Sequence, residues 1–411
     1  MEYNLENLKK VMFEDGDITR SLDQLVKRTD SDSNTKFLTE KLFDQKLYNK
    51  FNHKKSKNLD IFLNEDLTKV ITRDTLKYLG LEYGKTQRKI GGLNIEHPFG
   101  VARATALITE NFSSTISALL HDIPEYLLET IWADQKLTEK DLQKRIKENV
   151  LDSHIFNSVN VMEKSPTEDE LYSKIEARTN NMLNKLTRFG VETYDKHLEY
   201  MVSEEDIDNY RELLSLLSIK ILDRIYNMET MGDINNNKNE NYIFGTDRRW
   251  YTTMKSANLI NRVNTFLNEK KFKNNRVEPS RINNSYIYYK SNKELTDILE
   301  NLNSCLAESG VNKMKETIDF MVQNSQLDVD FYNKCDDAFE KYNLSGCNES
   351  NGFLKSSSYY IELFKKSNQD REVLKNEFKN PEESIKLTNY TRKLMTYYLN
   401  NPTSTIDCWS K

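Results

Sequence analysis

The sequence predicts an all-α fold, and two observations support that prediction. First, apolar residues recur at helical spacing over residues 66–83, 97–108 and 206–231. Second, typical helix starts are present, such as Asn380-Pro381, where an Asn in the capping position precedes a Pro and two acidic residues. We therefore expect a helical core with a helical C-terminal extension.

The chain is long enough for two or three domains. It has 411 residues, of which 30% are charged and 37% are hydrophobic, a composition that is polar but still globular. We expect an N-terminal helical segment over residues 1–65, a central domain over residues 66–270 and a helical region over residues 271–411. No internal repeat is visible in the sequence.

Charge and cysteine content exclude several classes of protein. A net charge of −5, from 59 basic and 64 acidic residues, argues against a dedicated nucleic-acid binder but permits a local basic pocket for phosphates. No run of 18 apolar residues exists, and the acidic N-terminus does not resemble a secretory signal, so we expect neither a membrane span nor export. The four cysteines lie in the last third without a CxxC pair, which favours a reduced, cytoplasmic chain.

Two histidines and two aspartates stand at positions where they could converge. His97 opens an apolar helix, and a second helix over residues 114–120 leads directly into His121-Asp122. Asp223 interrupts a strongly apolar helix downstream, where an unpartnered carboxylate would cost several kcal/mol. A set with mixed nitrogen and oxygen donors suits a manganese, iron or zinc ion. The alternative is a structural ion pair that involves the neighbouring Arg224.

The segment after this ligand pair carries the candidate for acid–base chemistry. We expect Pro124 to end the second helix and Glu125 to project from a turn beside the ligands. From there Glu125 could position or deprotonate a water molecule. The alternative is that Glu125 is an ordinary surface residue.

Three local motifs resemble a known family. They are QRKIGGLNIEHPFGVA, ALLHDIPE and IKILDRIYNMETM, in that order along the chain. The order His, His-Asp, Asp is similar to that of the HD phosphohydrolase superfamily. Within it, the closest resemblance is to the hydrolase domain of the RelA/SpoT alarmone enzymes and their small single-domain relatives. The resemblance covers about half of the chain, roughly Thr68 to Glu269.

The resemblance implies an activity and a set of site residues. The implied fold is a helical HD hydrolase core, and the implied reaction is metal-dependent removal of the 3′-pyrophosphate from guanosine tetra- or pentaphosphate. One Mn²⁺ would be held by His97, His121, Asp122 and Asp223. The catalytic residues would be Glu125, Asp122 and Asn227. The residues implied to bind the phosphorylated nucleotide are Arg88, Lys89, Tyr126, Lys185 and Asn227.

Three departures from the family pattern keep other functions open. Ile90 stands where the family has Ser, Tyr126 replaces the second acid of a Glu-Asp pair, and a charged insertion spans Lys136 to Glu176. One alternative is an HD phosphohydrolase that acts on NADPH or another nucleotide. Another is a non-catalytic nucleotide sensor that signals through the C-terminal helices. Those helices could also bind a protein partner or mediate self-association.

Overall fold

The all-α prediction is confirmed by a computed structural model of the chain. The part of the chain that it describes is 84% helical and contains no strand or sheet. The described residues are 4–13, 16–29, 31–83, 93–133, 135, 137–188, 194–201, 210–231, 256, 259–260, 262–263, 266–267 and 292–323. Among the helices in these ranges, none is both long and apolar enough to cross a membrane.

The chain divides into two compact units. The first comprises residues 1–226 and 269–302, and the second comprises residues 227–268 and 303–411. In the second unit, Ser309 Oγ donates a hydrogen bond to Glu229 Oε1 (2.5 Å) and Asn303 Nδ2 donates to the Ile260 carbonyl (3.3 Å). The predicted boundaries near residues 65 and 270 stay predictions.

The N-terminal part of the first unit is a series of short helices. They are α1 (Leu5–Phe13), α2 (Gly16–Val26), α3 (Ser31–Leu42), α4 (Gln45–Asn52) and α5 (Lys57–Asn64). Asp44 caps α4 and Ser56 caps α5, each through a side-chain oxygen that accepts a backbone N–H bond. Helix α1 packs against α7, which is part of the central core.

Three helices form the centre of the first unit. They are α6 (Asp66–Tyr83), α7 (Glu96–Thr109) and α8 (Phe112–Leu120). All residues of α8 are buried, and so are the residues of α7 from His97 onward. A helix that is buried on every side must have neighbours on every side, and α8 packs against α6, α7 and a later helix, α12.

The remaining helices complete the first unit and enter the second. They are α9 (Ile123–Glu129), α10 (Glu139–Ile146), a π-helical segment (Lys147–Ile155), α11 (Asn157–Asn160), α12 (Pro166–Leu186), α13 (Tyr194–Met201), α14 (Tyr210–Glu229) and α15 (Asn292–Gln323). Capping boxes begin α10 at Thr138 and α12 at Ser165.

One local prediction was wrong. Pro124 does not end a helix but lies in the first turn of α9, where its missing N–H is not needed, so Glu125 is helical rather than part of a turn. Residues 293–304 and 313–322, which both have helical periodicity, belong to the single helix α15. The interval between them includes Gly310, a residue that weakens a helix but does not have to end it.

Candidate metal centre

His97 is fixed near the start of α7. It is the second residue of the helix, Pro98 follows it in the same turn, and its ring is almost completely buried. The ring packs edge-to-face on Tyr226 of α14, with centroids 4.8 Å apart and an interplanar angle of 79°. This contact turns the ring so that Nε2 faces the other polar groups of the site.

His121 and Asp122 occupy the junction between α8 and α9. The ring nitrogen Nδ1 of His121 lies 2.8 Å from the Ala118 carbonyl, to which it can only donate, so the neutral ring presents an unprotonated Nε2. Asp122 stands at the N-cap position of α9, yet its carboxylate makes no capping hydrogen bond. Its side chain is 42% exposed, so this side of the site is open to solvent.

Asp223 comes from α14 and is almost fully buried. Its two oxygens have different surroundings. Oδ2 accepts a hydrogen bond from Arg224 Nη2 at 3.0 Å and lies 3.8 Å from Lys220 Nζ, whereas Oδ1 faces the histidines. The ion pair with Arg224 is therefore present, but it uses only one side of the carboxylate.

Polar atoms of four residues lie close together. His97 Nε2 lies 3.2 Å from His121 Nε2, 3.3 Å from Asp122 Oδ2 and 3.2 Å from Asp223 Oδ1. His121 Nε2 lies 3.2 Å from Asp122 Oδ1 and 3.8 Å from Asp223 Oδ1. Two ligands at about 2.1 Å from one ion lie about 3.0 Å apart as octahedral neighbours and about 3.4 Å apart in a tetrahedron. The spacing of His97, His121 and Asp122 therefore fits the ligands of one divalent ion, and Asp223 Oδ1 faces the same two histidines.

The ionisable groups of the site shift one another's pKa values. Burial lowers the pKa of His97, although the carboxylates of Asp122 and Asp223 oppose this effect. Burial also lowers the pKa of His121, but the same two carboxylates outweigh it and raise the pKa to about 9. Burial alone would raise the pKa of Asp223, but Arg224 and the two histidines hold it well below its usual range. The carboxylates thus favour a positive charge at their centre, which a divalent ion supplies.

A close contact between α7 and α14 makes this convergence possible. A Cβ atom at Gly100 would lie 2.5 Å from Tyr226 Cε2 and 3.0 Å from the Met12 carbonyl oxygen. Only glycine leaves room for the Tyr226 ring against α7. Asp223 lies one helical turn before Tyr226, so this contact also sets the distance between Asp223 and His97.

The two residues that follow the ligands in α9 lie at the edge of the site. Glu125 Oε1 accepts a hydrogen bond of 3.1 Å from the backbone N–H of Arg188, at the end of α12. Tyr126 is half-buried near Tyr83. The hydroxyl of Tyr83 is buried and has no hydrogen-bond partner among the described residues. Burial, and then Asp122, raise the pKa of Tyr83.

Four other residues were predicted to bind substrate, and their positions differ. Arg88 and Lys89, together with Ile90, lie outside the described residues. Lys185 is buried in the last turn of α12, where its charge acts on the buried Glu212. Asn227 is half-buried one turn after Asp223 and belongs to the second unit. Their roles stay predictions.

The sequence interpretation missed two residues beside the site, namely Lys220 and Arg188. Lys220 Nζ lies 3.8 Å from Asp223 Oδ2, and the hydrogen bond between Arg188 and Glu125 joins residues 63 positions apart. A helical pattern with Lys three residues before Asp is a usable signal for Lys220, but nothing local marks Arg188.

No protein-family model, curated protein or solved structure matches the chain. The family resemblance of the three motifs therefore stays a prediction, and the function is inferred from the residues and their geometry.

Proposed function

We propose that this chain is a metal-dependent phosphohydrolase. The observation that carries the proposal is the convergence of the His97 and His121 rings with two carboxylates, because Nε2 of each ring lies 3.2 to 3.8 Å from an oxygen of Asp122 and from Oδ1 of Asp223. His97, His121, Asp122 and Asp223 would hold the ion, and Mn²⁺ is the ion that the motif resemblance implies. A bound divalent ion supplies Lewis acidity and lowers the pKa of a coordinated water.

The residues around the ion have different proposed roles. His97 and Asp223 are buried and rigidly packed, whereas the half-exposed Asp122 leaves one side of the site accessible. Glu125 has one oxygen engaged by the Arg188 backbone, which fixes its carboxylate and leaves the other oxygen to accept a proton from water. Arg224 orients Asp223 by binding the oxygen that faces away from the histidines.

The proposed substrate is a phosphorylated nucleotide. By the resemblance of the motifs it is a guanosine tetra- or pentaphosphate alarmone that loses its 3′-pyrophosphate. Arg88 and Lys89 would bind its phosphates because Arg offers a planar fork and Lys a point charge. Tyr126 and Asn227 would contact the nucleoside.

The test combines metal analysis with a hydrolysis assay. We expect purified protein to bind one Mn²⁺ per chain, and Asp122→Ala and Asp223→Ala to lose both the metal and nucleotide hydrolysis. Asp66→Ala is the matched control, because Asp66 is exposed on α6 and, within the described residues, its ion-pair partner is the exposed Lys69. Circular dichroism would establish that each variant is folded. A protein that binds no divalent ion and hydrolyses no nucleotide in the presence of Mn²⁺ would exclude the proposal.

A substrate panel separates the enzyme alternatives. It compares the tetraphosphate alarmone, NADPH and common nucleoside triphosphates under the same Mn²⁺ conditions. We expect alarmone hydrolysis, and we expect Tyr126→Asp to raise it by restoring an acid beside Glu125. Turnover of NADPH without alarmone turnover would reassign the substrate, and nucleotide binding without turnover of any compound would indicate a sensor.

Location and partners complete the proposal. The cysteine spacing favours the cytoplasm. The C-terminal helices are the proposed surface for a protein partner or for self-association. Size-exclusion chromatography of the protein, with and without nucleotide, tests self-association.

A further inference from the structure

The ring of Tyr226 contacts two aromatic rings from different parts of the chain. It meets His97 of α7 edge-to-face, with centroids 4.8 Å apart. It also packs against Phe13, the last residue of α1, with centroids 4.7 Å apart and planes tilted by 50°. Tilted and edge-to-face arrangements at these distances are the attractive ones for aromatic pairs. Tyr226 therefore connects a candidate metal ligand with the N-terminal helix.

Helix α1 is held against α7 by a buried arginine. The side chain of Arg103 in α7 is only 4% exposed. Its Nη1 donates a hydrogen bond to the Val11 carbonyl (3.1 Å), and its Nε donates one to the Lys41 carbonyl of α3 (3.0 Å). A buried guanidinium without acceptors would be unfavourable, so these bonds favour one position for the end of α1. Phe13 follows Val11 by two residues, and its contact with Tyr226 is thus fixed by the N-terminal helices.

The orientation of the His97 ring decides which nitrogen faces the ion. Nε2 lies 3.2 Å from His121 Nε2 and 3.2 Å from Asp223 Oδ1. Nδ1 is buried and has no hydrogen-bond partner in the described part of the chain. A metal-bound histidine is usually oriented by a hydrogen bond from its second nitrogen. Among the described residues, packing on Tyr226 is the contact that can orient this ring instead.

We propose that Phe13 is a positioning residue of the metal centre, which holds the His97 ring in its binding orientation through Tyr226. The proposal rests on the metal binding of the proposed function. It adds to the site a residue that precedes the segment of family resemblance, which begins at about Thr68. Without the ring of Phe13, Tyr226 gains room to turn, and the His97 ring must then be ordered when the ion binds.

The test measures the Mn²⁺ affinity of full-length variants by calorimetry, at a temperature where circular dichroism shows that each is folded. Phe13→Ala removes the ring, and Phe13→Tyr keeps it. Phe37→Ala is the matched control, because Phe37 is also a half-buried residue of the N-terminal helices. Its ring lies 5.3 Å from Lys41 Nζ, in a contact that does not involve Tyr226.

We expect Phe13→Ala to weaken Mn²⁺ binding by about 2- to 10-fold, the effect of having to order one side chain on binding. Phe13→Tyr and Phe37→Ala should bind Mn²⁺ like wild type, although both alanine variants lose thermal stability. In a Tyr226→Leu background, Phe13→Ala should cause no further loss of affinity.

Two results would overturn the proposal. One is a Mn²⁺ affinity of Phe13→Ala equal to that of Phe37→Ala, which would give Phe13 a structural role alone. The other is an undiminished effect of Phe13→Ala in the Tyr226→Leu background, which would exclude Tyr226 as the connection. If Phe13→Ala does not fold, Phe13→Val and Phe37→Val are compared in the same way, since Val keeps part of the apolar volume.

Failure of this proposal and failure of the enzyme proposal give different results. Nucleotide hydrolysis by wild type, with equal Mn²⁺ affinity in Phe13→Ala and Phe37→Ala, rejects the role of Phe13 and keeps the phosphohydrolase. Weaker Mn²⁺ binding in Phe13→Ala than in Phe37→Ala, without hydrolysis of any nucleotide by wild type, keeps the role of Phe13 and rejects the phosphohydrolase. A wild type that binds no divalent ion overturns both.

Discussion

Substitution of Gly100 by Ala tests whether the contact between α7 and α14 sets the geometry of the metal centre. The added Cβ would lie 2.5 Å from Tyr226 Cε2, whereas ordinary contact begins at 3.4 Å, so the ring or its helix must move by about 0.9 Å. Such overpacking costs about 1–3 kcal/mol. The better helix propensity of Ala returns about 1 kcal/mol. We therefore expect a net loss of up to about 2 kcal/mol.

The effect can be measured as a change in thermal stability and in manganese affinity. A loss of this size lowers the Tm by up to about 8 °C for a unit of roughly 250 residues. Manganese should also bind more weakly, because Tyr226 packs on His97 and follows Asp223 in the same helix. Gly16→Ala is the matched control, since a Cβ there meets nothing within 4 Å, and its Tm should be equal to or slightly above that of wild type.

A double-mutant cycle identifies the cause. Tyr226→Leu removes the atom that the new Cβ would meet, so Gly100→Ala should cost less in that background, by about 1 kcal/mol. If Gly100→Ala matches Gly16→Ala in stability and binds manganese like wild type, then the contact does not control the site.

Three further predictions follow from other groups at or near the site. Glu125→Gln should keep manganese binding but lower kcat by about 100-fold or more, as measured by steady-state kinetics, and an unchanged kcat would make Glu125 a surface residue. Tyr83→Phe should leave the free energy of unfolding unchanged or raise it by up to about 1 kcal/mol, as measured by chemical denaturation. The reason is that it removes a buried hydroxyl without a partner in the described structure. A clear loss of stability would reveal a hydrogen bond to that hydroxyl. His197 has a pKa of about 3 in the folded protein against 6.5 ordinarily, so the unfolded chain takes up a proton first as the pH falls. Below about pH 6.5 this residue should therefore reduce stability by up to about 1.4 kcal/mol per pH unit. Unfolding curves of wild type and His197→Phe between pH 7 and 4 should diverge, and parallel curves would contradict this reasoning.

The helices and the four candidate ligands were predictable from the sequence. Helix α6 runs from Asp66 to Tyr83, as its apolar spacing predicts, and His97 lies in the first turn of α7. These features depend on backbone hydrogen bonds and side-chain periodicity within a few residues, which a local pattern records. The buried position of Asp223 in an apolar helix likewise indicated that it has partners.

Helix boundaries were harder to predict from the local sequence. Proline is compatible with the first turn of a helix and with the end of one, so Pro124 could not be assigned from its neighbours alone.

Only the tertiary structure decided how distant residues combine. The absence of a side chain at Gly100 matters because Tyr226, 126 positions later, occupies that space. Three other features likewise depend on how α9, α12, α13 and α14 pack together. They are the hydrogen bond between Glu125 and Arg188, the different partners of the two Asp223 oxygens, and the burial of the His197 ring. The sequence determines which side chains can bind a metal or an anion. Their distances follow from long-range packing, which no spacing along the chain records.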